Sequence, residues 1–168
     1  RLSYDWWQLT HAWLADAIVL MGLAHVLLFG AFSSTPAMRI CFAVYYAILL
    51  GLGLNFKIVR PLRMWSKRWE VVENRKERGD SYTVVLKPVG HDGFVFEPGQ
   101  FAWINTGRTP FHKDRHPISF SSCAYDHKPA NVAFTIRNLG DWSGSVVPAL
   151  QPGQRLWIDG PHGVFTAD

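Results

Sequence analysis

Residues 11–59 hold two apolar runs, and these constrain the fold more than any other feature of the chain. The first covers roughly Thr10–Phe32. The second covers roughly Pro36–Val59, with Ile40–Leu54 as its apolar heart. Each is close to the ~20 residues that a helix needs to cross a bilayer. The link between them, Gly30–Thr35, contains only small and apolar residues plus Ser33, Ser34 and Thr35, so two antiparallel transmembrane helices are predicted. A soluble helical hairpin is the competing arrangement. The second run argues against it, being apolar all round rather than along one stripe.

Lysine and arginine placement sets the orientation. The link and its edge carry only Arg39, whereas Lys57, Arg60, Arg63, Lys67, Arg68, Arg75, Lys76 and Arg78 follow the second run. The link is therefore expected outside and the polar remainder in the cytoplasm. Trp6, Trp7 and Trp13, with Trp65 and Trp69, form an aromatic belt at the inner face. The net charge of +4 is explained by this flank, so nucleic acid is not an expected partner. Cys41 lies in an apolar run and Cys123 in the polar part, which argues against a disulfide. The opening lacks a signal-peptide layout. A chain without an initial Met that stops at Thr166-Ala167-Asp168 reads as a piece of something longer.

Beyond a charged connector, Glu70–Asp80, the pattern changes to short strands. Candidates are Tyr82–Lys87, Phe101–Asn105, Ile118–Ser122, Val132–Arg137 and Leu156–Asp159. Turn signals at His91-Asp92-Gly93, Pro98-Gly99, Lys128-Pro129 and Pro152-Gly153 separate them, a spacing that suggests a small antiparallel β-barrel. Trp142–Leu150 is a candidate short helix.

Several residues in this framework can carry chemistry. His11 and His25 stand fourteen residues apart on the first run. Along a helix that is a rise of about 21 Å and a rotation ~40° short of four full turns, so both imidazoles face one side. A histidine inside a membrane span is costly and suggests function, and neutral imidazole is a common haem ligand. In the polar part, His116-Pro117-Ile118-Ser119-Phe120-Ser121-Ser122 follows a basic loop, His112-Lys113-Asp114-Arg115. Strand alternation points Ser119 and Ser121 to one face, where hydroxyls could bond a flavin edge while the loop neutralises phosphates. Phe101 is expected in the core. Arg137-Asn138-Leu139-Gly140-Asp141-Trp142-Ser143 places a glycine before a helix start, a possible anion site with Ser143 adding a hydroxyl or acting as a plain N-cap. Gly160-Pro161-His162-Gly163 ends a strand in a tight turn where a ring could approach the backbone closely.

These motifs, in this order, resemble bacterial members of the ferric reductase and NADPH oxidase superfamily. The opening Ser3-Tyr4-Asp5-Trp6-Trp7-Gln8-Leu9-Thr10-His11, with His25 fourteen on, looks like the fifth of six membrane helices, and Ile40–Val59 resembles the sixth. Pro98-Gly99-Gln100-Phe101, His116-Pro117-Ile118-Ser119, Gly140-Asp141-Trp142-Ser143 and Gly160-Pro161-His162-Gly163 resemble the ordered motifs of a ferredoxin-reductase-type FAD barrel. The resemblance implies three parts: the last two membrane helices at 1–60, a connector at 61–80 and an FAD domain at 81–168. It implies that His11 and His25 each ligate one of two b-type haems, with partner ligands from a helix outside this chain. It assigns FAD contacts to His116, Pro117, Ile118 and Ser119, with Ser119 nearest the reactive ring. Arg137, Gly140, Asp141, Trp142 and Ser143 fall to the pyrophosphate side, and Gly160 and Gly163 beside the isoalloxazine. Ile118 stands where many relatives place Phe or Tyr.

The function implied is a transmembrane flavocytochrome of the bacterial plasma membrane. NAD(P)H reduces FAD in the full-length parent, and electrons cross two haems to an external acceptor such as a ferric chelate, oxygen or a protein. A membrane-anchored flavin-binding module without haem is the principal alternative, and a non-catalytic scaffold is another. The fragment alone is expected to be inactive.

Overall fold

The computed structural model describes residues 4–30, 35–93, 95–112, 114–124 and 131–165. Residues 31–34 of the link, Lys113 of the basic loop, the Lys128-Pro129 turn signal, Ser3 and Thr166–Asp168 lie outside the described residues. The chain divides into two units, Arg1–Phe56 and Lys57–Asp168.

The first unit is helical. Helix α1 spans Tyr4–Phe29 and α2 spans Pro36–Leu54. Good helix formers dominate both, and punctuation sets their ends. Gly30, with φ of 49°, follows α1 in the left-handed conformation that commonly stops a helix. Thr35 caps α2, its hydroxyl accepting from the Met38 N–H at 3.4 Å, and Pro36 fills the first turn where its missing N–H costs nothing. A Cβ on Gly22 would stand 3.0 Å from the Tyr46 hydroxyl, so a small residue keeps that approach open. Both helices are long and apolar enough to cross a membrane. No residue of α2 is buried, and Leu27, Leu28 and Phe29 are at least 70% exposed.

A π-helical turn, Asn55–Val59, runs across the division between the units, and α3, Arg60–Ser66, comes next in the second unit. Six strands then appear: β1 Arg68–Glu77, β2 Ser81–Val89, β3 Phe101–Asn105, β4 Arg115–Ser119, β5 Val132–Arg137 and β6 Arg155–His162. All named pairings are antiparallel, in the order β4-β3-β6-β1-β2-β5. Alternation turns one face of each strand inward. Trp69, Val71, Val84, Leu86, Ala102, Ile104, Val132, Phe134, Ile136, Leu156 and Ile158 make a continuous core, joined by Phe96, Val147 and Leu150.

Two expectations are corrected here. The sheet is not a closed barrel: its ends, β4 and β5, meet through one bridge, Phe120 to Phe134, and through the Ser121 N–H donating to the Ala133 carbonyl at 2.8 Å. The segment 61–80, expected as a charged connector, is occupied by most of α3 and by the ten-residue strand β1. Its charges lie on the outward face, where Lys87 meets Glu70 at 2.8 Å across the β1–β2 pair and Arg75 meets Glu73 and Glu77.

Candidate functional site

The β3–β4 register decides what the site offers. Phe101 pairs with Ser119, Trp103 with Pro117 and Asn105 with Arg115, while Ala102 and Ile104 turn into the core opposite Ile118 and His116. Pro117 and Ser119 are exposed on the outer face beside half-buried Phe101 and Trp103. On β6, His162 lies opposite Phe101 and Asp159 opposite Trp103. Phe101 packs edge-on to Trp103 with ring centroids 6.3 Å apart and lies 5.8 Å from His162. The expectation that Phe101 belongs to the core is therefore corrected. It is part of an aromatic outer wall, because the alternation that buries Ala102 turns its neighbours outward.

The hydroxyls of this segment separate. Ser119 stays exposed with no side-chain hydrogen bond among the described residues. Ser121 does not share its role: β4 ends at Ser119, and the Ser121 hydroxyl accepts from Thr135 at 3.1 Å. Ile118 packs against the core. Ile118 thus serves packing in this chain, and the rings offered to a planar ligand are Phe101 and Trp103.

The basic loop is anchored at its base by Asn105, while His112 itself stays exposed. Asn105 is fully buried. Its amide nitrogen donates to the His112 carbonyl at 2.9 Å, with the Pro110 and Thr109 carbonyls at 3.4 and 3.5 Å, and its oxygen accepts from the Gly107 N–H at 2.8 Å. Arg115 donates to the Pro110 carbonyl at 3.0 Å. Burial pushes the Arg115 guanidinium below the usual arginine range, Asp159 draws it back up and Arg60 lowers it again. Arg115 therefore braces the loop while staying partly exposed. His116 Nε2 lies 2.6 Å from Asp114 Oδ1, and its ring stacks on Trp142 at 3.8 Å with planes 17° apart. Trp142 in turn donates its indole N–H to the Thr106 hydroxyl at 3.1 Å.

The segment after β5 is a π-helical turn, Trp142–Val146, rather than the expected helix to Leu150. The Ser143 hydroxyl accepts the N–H groups of Leu139 and Gly140 at 2.9 and 3.0 Å and donates to the Gly140 carbonyl at 3.2 Å. Ser143 therefore caps its own loop. Arg137 and Asp141 are exposed. A Cβ on Gly140 would meet nothing within 4 Å, and its φ is not positive. The surrounding protein leaves space above that backbone, which fits close approach of a ligand chain. Gly160 is different: a Cβ there would stand 2.8 Å from the Ala102 side chain, so contact between β3 and β6 demands the glycine. Gly163, at φ 105°, places its backbone against the Phe101 ring, and its carbonyl accepts from Gln100 Nε2 at 3.1 Å.

Taken together, the outer face of β3, β4 and β6 and the Gly140 loop fit a flavin nucleotide: two aromatic rings, an exposed hydroxyl and an uncovered glycine backbone. In the helical unit, His11 and His25 are exposed on the unbroken α1. His11 stacks on Trp7 at 5.2 Å and His25 lies 5.0 Å from Phe29. Each imidazole can give one nitrogen to a metal. Among the described residues no three His, Cys, Asp or Glu side chains are grouped to hold an ion.

No protein-family model matches the chain. Its sequence is 28% identical over 118 residues to the reductase component of propane 2-monooxygenase from Mycolicibacterium goodii, covering 67% of this chain and 32% of that protein. The Rhodococcus jostii counterpart is 29% identical over 89 residues, 52% of this chain and 23% of that protein. The chain thus spans less than a third of the length of these curated relatives. Among solved structures, the ferredoxin reductase of carbazole 1,9a-dioxygenase superposes with a TM-score of 0.50 at 25% identity, covering 61% of this chain and 30% of that one. An Amycolatopsis cytochrome P450 reductase also gives 0.50, at 23% identity, over 61% of this chain and 29% of its own.

The polar unit has the ferredoxin-reductase-type fold. The ferredoxin-reductase part of the sequence resemblance is supported by these relatives. The more specific likeness to ferric reductases and NADPH oxidases is not carried by these relatives, which are reductases of oxygenase systems. Sequence reasoning missed Trp103, Asn105 and Asp114. Of these, Trp103 was legible as the outward partner of Pro117 once the β3–β4 register is known.

Proposed function

We propose that the polar unit is the FAD-binding half of an NAD(P)H-dependent reductase and that α1 and α2 anchor it in a bacterial plasma membrane, with the polar unit cytoplasmic. The carrying observation is the exposed Ser119 beside Phe101 and Trp103, on a fold shared with the carbazole dioxygenase reductase. Phe101 and Trp103 would flank the isoalloxazine, the Ser119 hydroxyl would bond its polar edge, and the uncovered backbone at Gly140 would lie along the pyrophosphate. Arg137, Asp141 and Trp142 would border that end, with His116 and Pro117 between. FAD held there would convert two-electron delivery from a nicotinamide into single-electron steps. The protein's own part is to bind, orient and exclude water.

For the onward path we propose the flavocytochrome arrangement, in which His11 and His25 each give one axial nitrogen to a b-type haem and the remaining ligands come from outside this chain. Two exposed imidazoles separated by about 21 Å on one unbroken helix fit that role. The acceptor would be a ferric chelate, oxygen or a protein. The relatives favour a second reading without haem, in which a partner oxygenase or P450-type protein takes the electrons directly.

The absorption spectrum of the purified full-length parent separates these readings. Flavin and two haem contributions are expected, with one Soret contribution lost in His25→Ala and flavin retained. A flavin spectrum alone selects the second reading. In the same protein, Ser119→Ala should weaken flavin rebinding by up to about tenfold, the worth of one hydrogen bond. Absence of any flavin binding rejects the whole proposal.

A further inference from the structure

Two clefts flank α3. One, of about 340 Å³, is lined by Arg60, Arg63 and Lys67 together with Ser66, Asp159 and His162. The other, of about 350 Å³, is lined by Arg68, Arg108 and Arg155 with the indoles of Trp65 and Trp157. Six cations thus border the clefts against a single carboxylate, Asp159, which already lies 3.6 Å from Arg60. His162 Nε2 is buried and makes no hydrogen bond; its nearest acid oxygen is that of Asp159, at 3.5 Å.

Beside the second cleft stands an apolar ridge. Leu62 is 54% exposed and Trp65 42% exposed, one helical turn apart. Trp65 packs at 5.9 Å from the Trp157 ring and 6.1 Å from Phe111, itself 42% exposed. Cations alternating with half-exposed indole and phenyl rings is the composition of a headgroup interface: aromatic rings sit at that depth, and each nearby Lys or Arg is drawn to anionic lipid. Nucleic acid or an acidic protein would also answer to the charge. Sequence position favours lipid, because Arg60 comes only six residues after Leu54, the last residue of the apolar α2.

We propose that the α3 face of the polar unit binds the phosphate-bearing headgroups of anionic phospholipid, with Arg60, Arg63 and Lys67 gripping one phosphate and the Trp65–Phe111 ridge entering the interface. This rests on the membrane reading above. Paired cations fix the anionic lipid, and the ridge fixes the depth, so the polar unit is oriented at the leaflet rather than hanging from a tether.

The test titrates the full chain in neutral detergent with short-chain phosphatidylglycerol, phosphatidylcholine, inorganic phosphate and polyglutamate, counting bound molecules by native mass spectrometry. Phosphatidylglycerol should bind tightest. Arg63→Gln with Lys67→Gln should weaken it by roughly fivefold per cation, about thirtyfold together. The charge-keeping pair Arg63→Lys with Lys67→Arg should restore binding. Equal affinity for phosphatidylcholine, or no effect of the glutamine pair with the near-UV spectrum unchanged, overturns the proposal. Polyglutamate binding more tightly points to an acidic protein partner and overturns it too, and inorganic phosphate binding as tightly as the lipid makes this a free-anion site. Flotation on neutral vesicles after an alkaline wash reports separately on membrane insertion. Preference for phosphatidylglycerol in a chain that fails to insert sinks the membrane reading and leaves the headgroup site standing.

Discussion

Asn105 shows how one side chain holds the site in shape. A buried amide that satisfies the His112 carbonyl and the Gly107 N–H at once fixes the loop over residues 106–112. Asn105→Ala removes both bonds and strands their partners, each costing ~1–3 kcal/mol. Denaturant unfolding followed by near-UV circular dichroism should show a loss of about 3 kcal/mol. Glu77 gives a prediction in pH. It accepts from Arg75 Nε at 2.9 Å, and that bond, followed by one from Thr83, holds its carboxyl below the usual glutamate range. A carboxylate depressed in the folded state adds stability above its unfolded pKa, and that contribution disappears as pH falls through the folded value. Carbon NMR should place the Glu77 midpoint below that of an ordinary glutamate, and Arg75→Gln should move it up towards the ordinary range. An unmoved midpoint would remove Arg75 as the cause.

At the level of elements, β1 is the strand that composition conceals. Its inward residues, Trp69 and Val71, are almost fully buried, yet between and beyond them stand Glu70, Glu73, Arg75, Lys76 and Glu77. An outward face studded with charge reads as a linker unless the two buried positions are weighed, and an irregularity between Val71 and Glu73 interrupts the alternation that would have shown it. Val71→Ala should therefore cost about 2 kcal/mol or more, through transfer and cavity terms, and lower the melting temperature of the polar unit. Thermal scans within a degree of the parent protein would mean that β1 contributes little. By contrast β3 and β5 were legible residue for residue, Phe101–Asn105 and Val132–Arg137, because each is a short apolar alternation bounded by turn residues. The candidate site was legible only in part. Ser119 and the Gly140 loop could be named from the motif order. The outward turn of Phe101, the bond from Arg115 to the Pro110 carbonyl and the self-capping of Ser143 depend on register and packing that one sequence does not display.

The whole molecule joins two kinds of stability. The helical unit satisfies its backbone within each helix and exposes apolar side chains. The polar unit relies on a water-excluding core that runs from Trp69 through Phe134 to Ile158. Heated in detergent, the chain should lose near-UV signal from the polar unit while far-UV helical signal persists, giving two transitions rather than one. A single coincident transition would mean that the units unfold together. Within the polar unit, the meeting of β4 and β5 has its own mechanical meaning. Phe120 lies 4.1 Å from the Phe96 ring and 5.0 Å from Phe134, and this small stack is where the two ends of the sheet are fastened. The strand that carries Ser119 is thereby moored on two sides, to β3 along its length and to β5 at its tail, through that stack, one bridge and three hydrogen bonds.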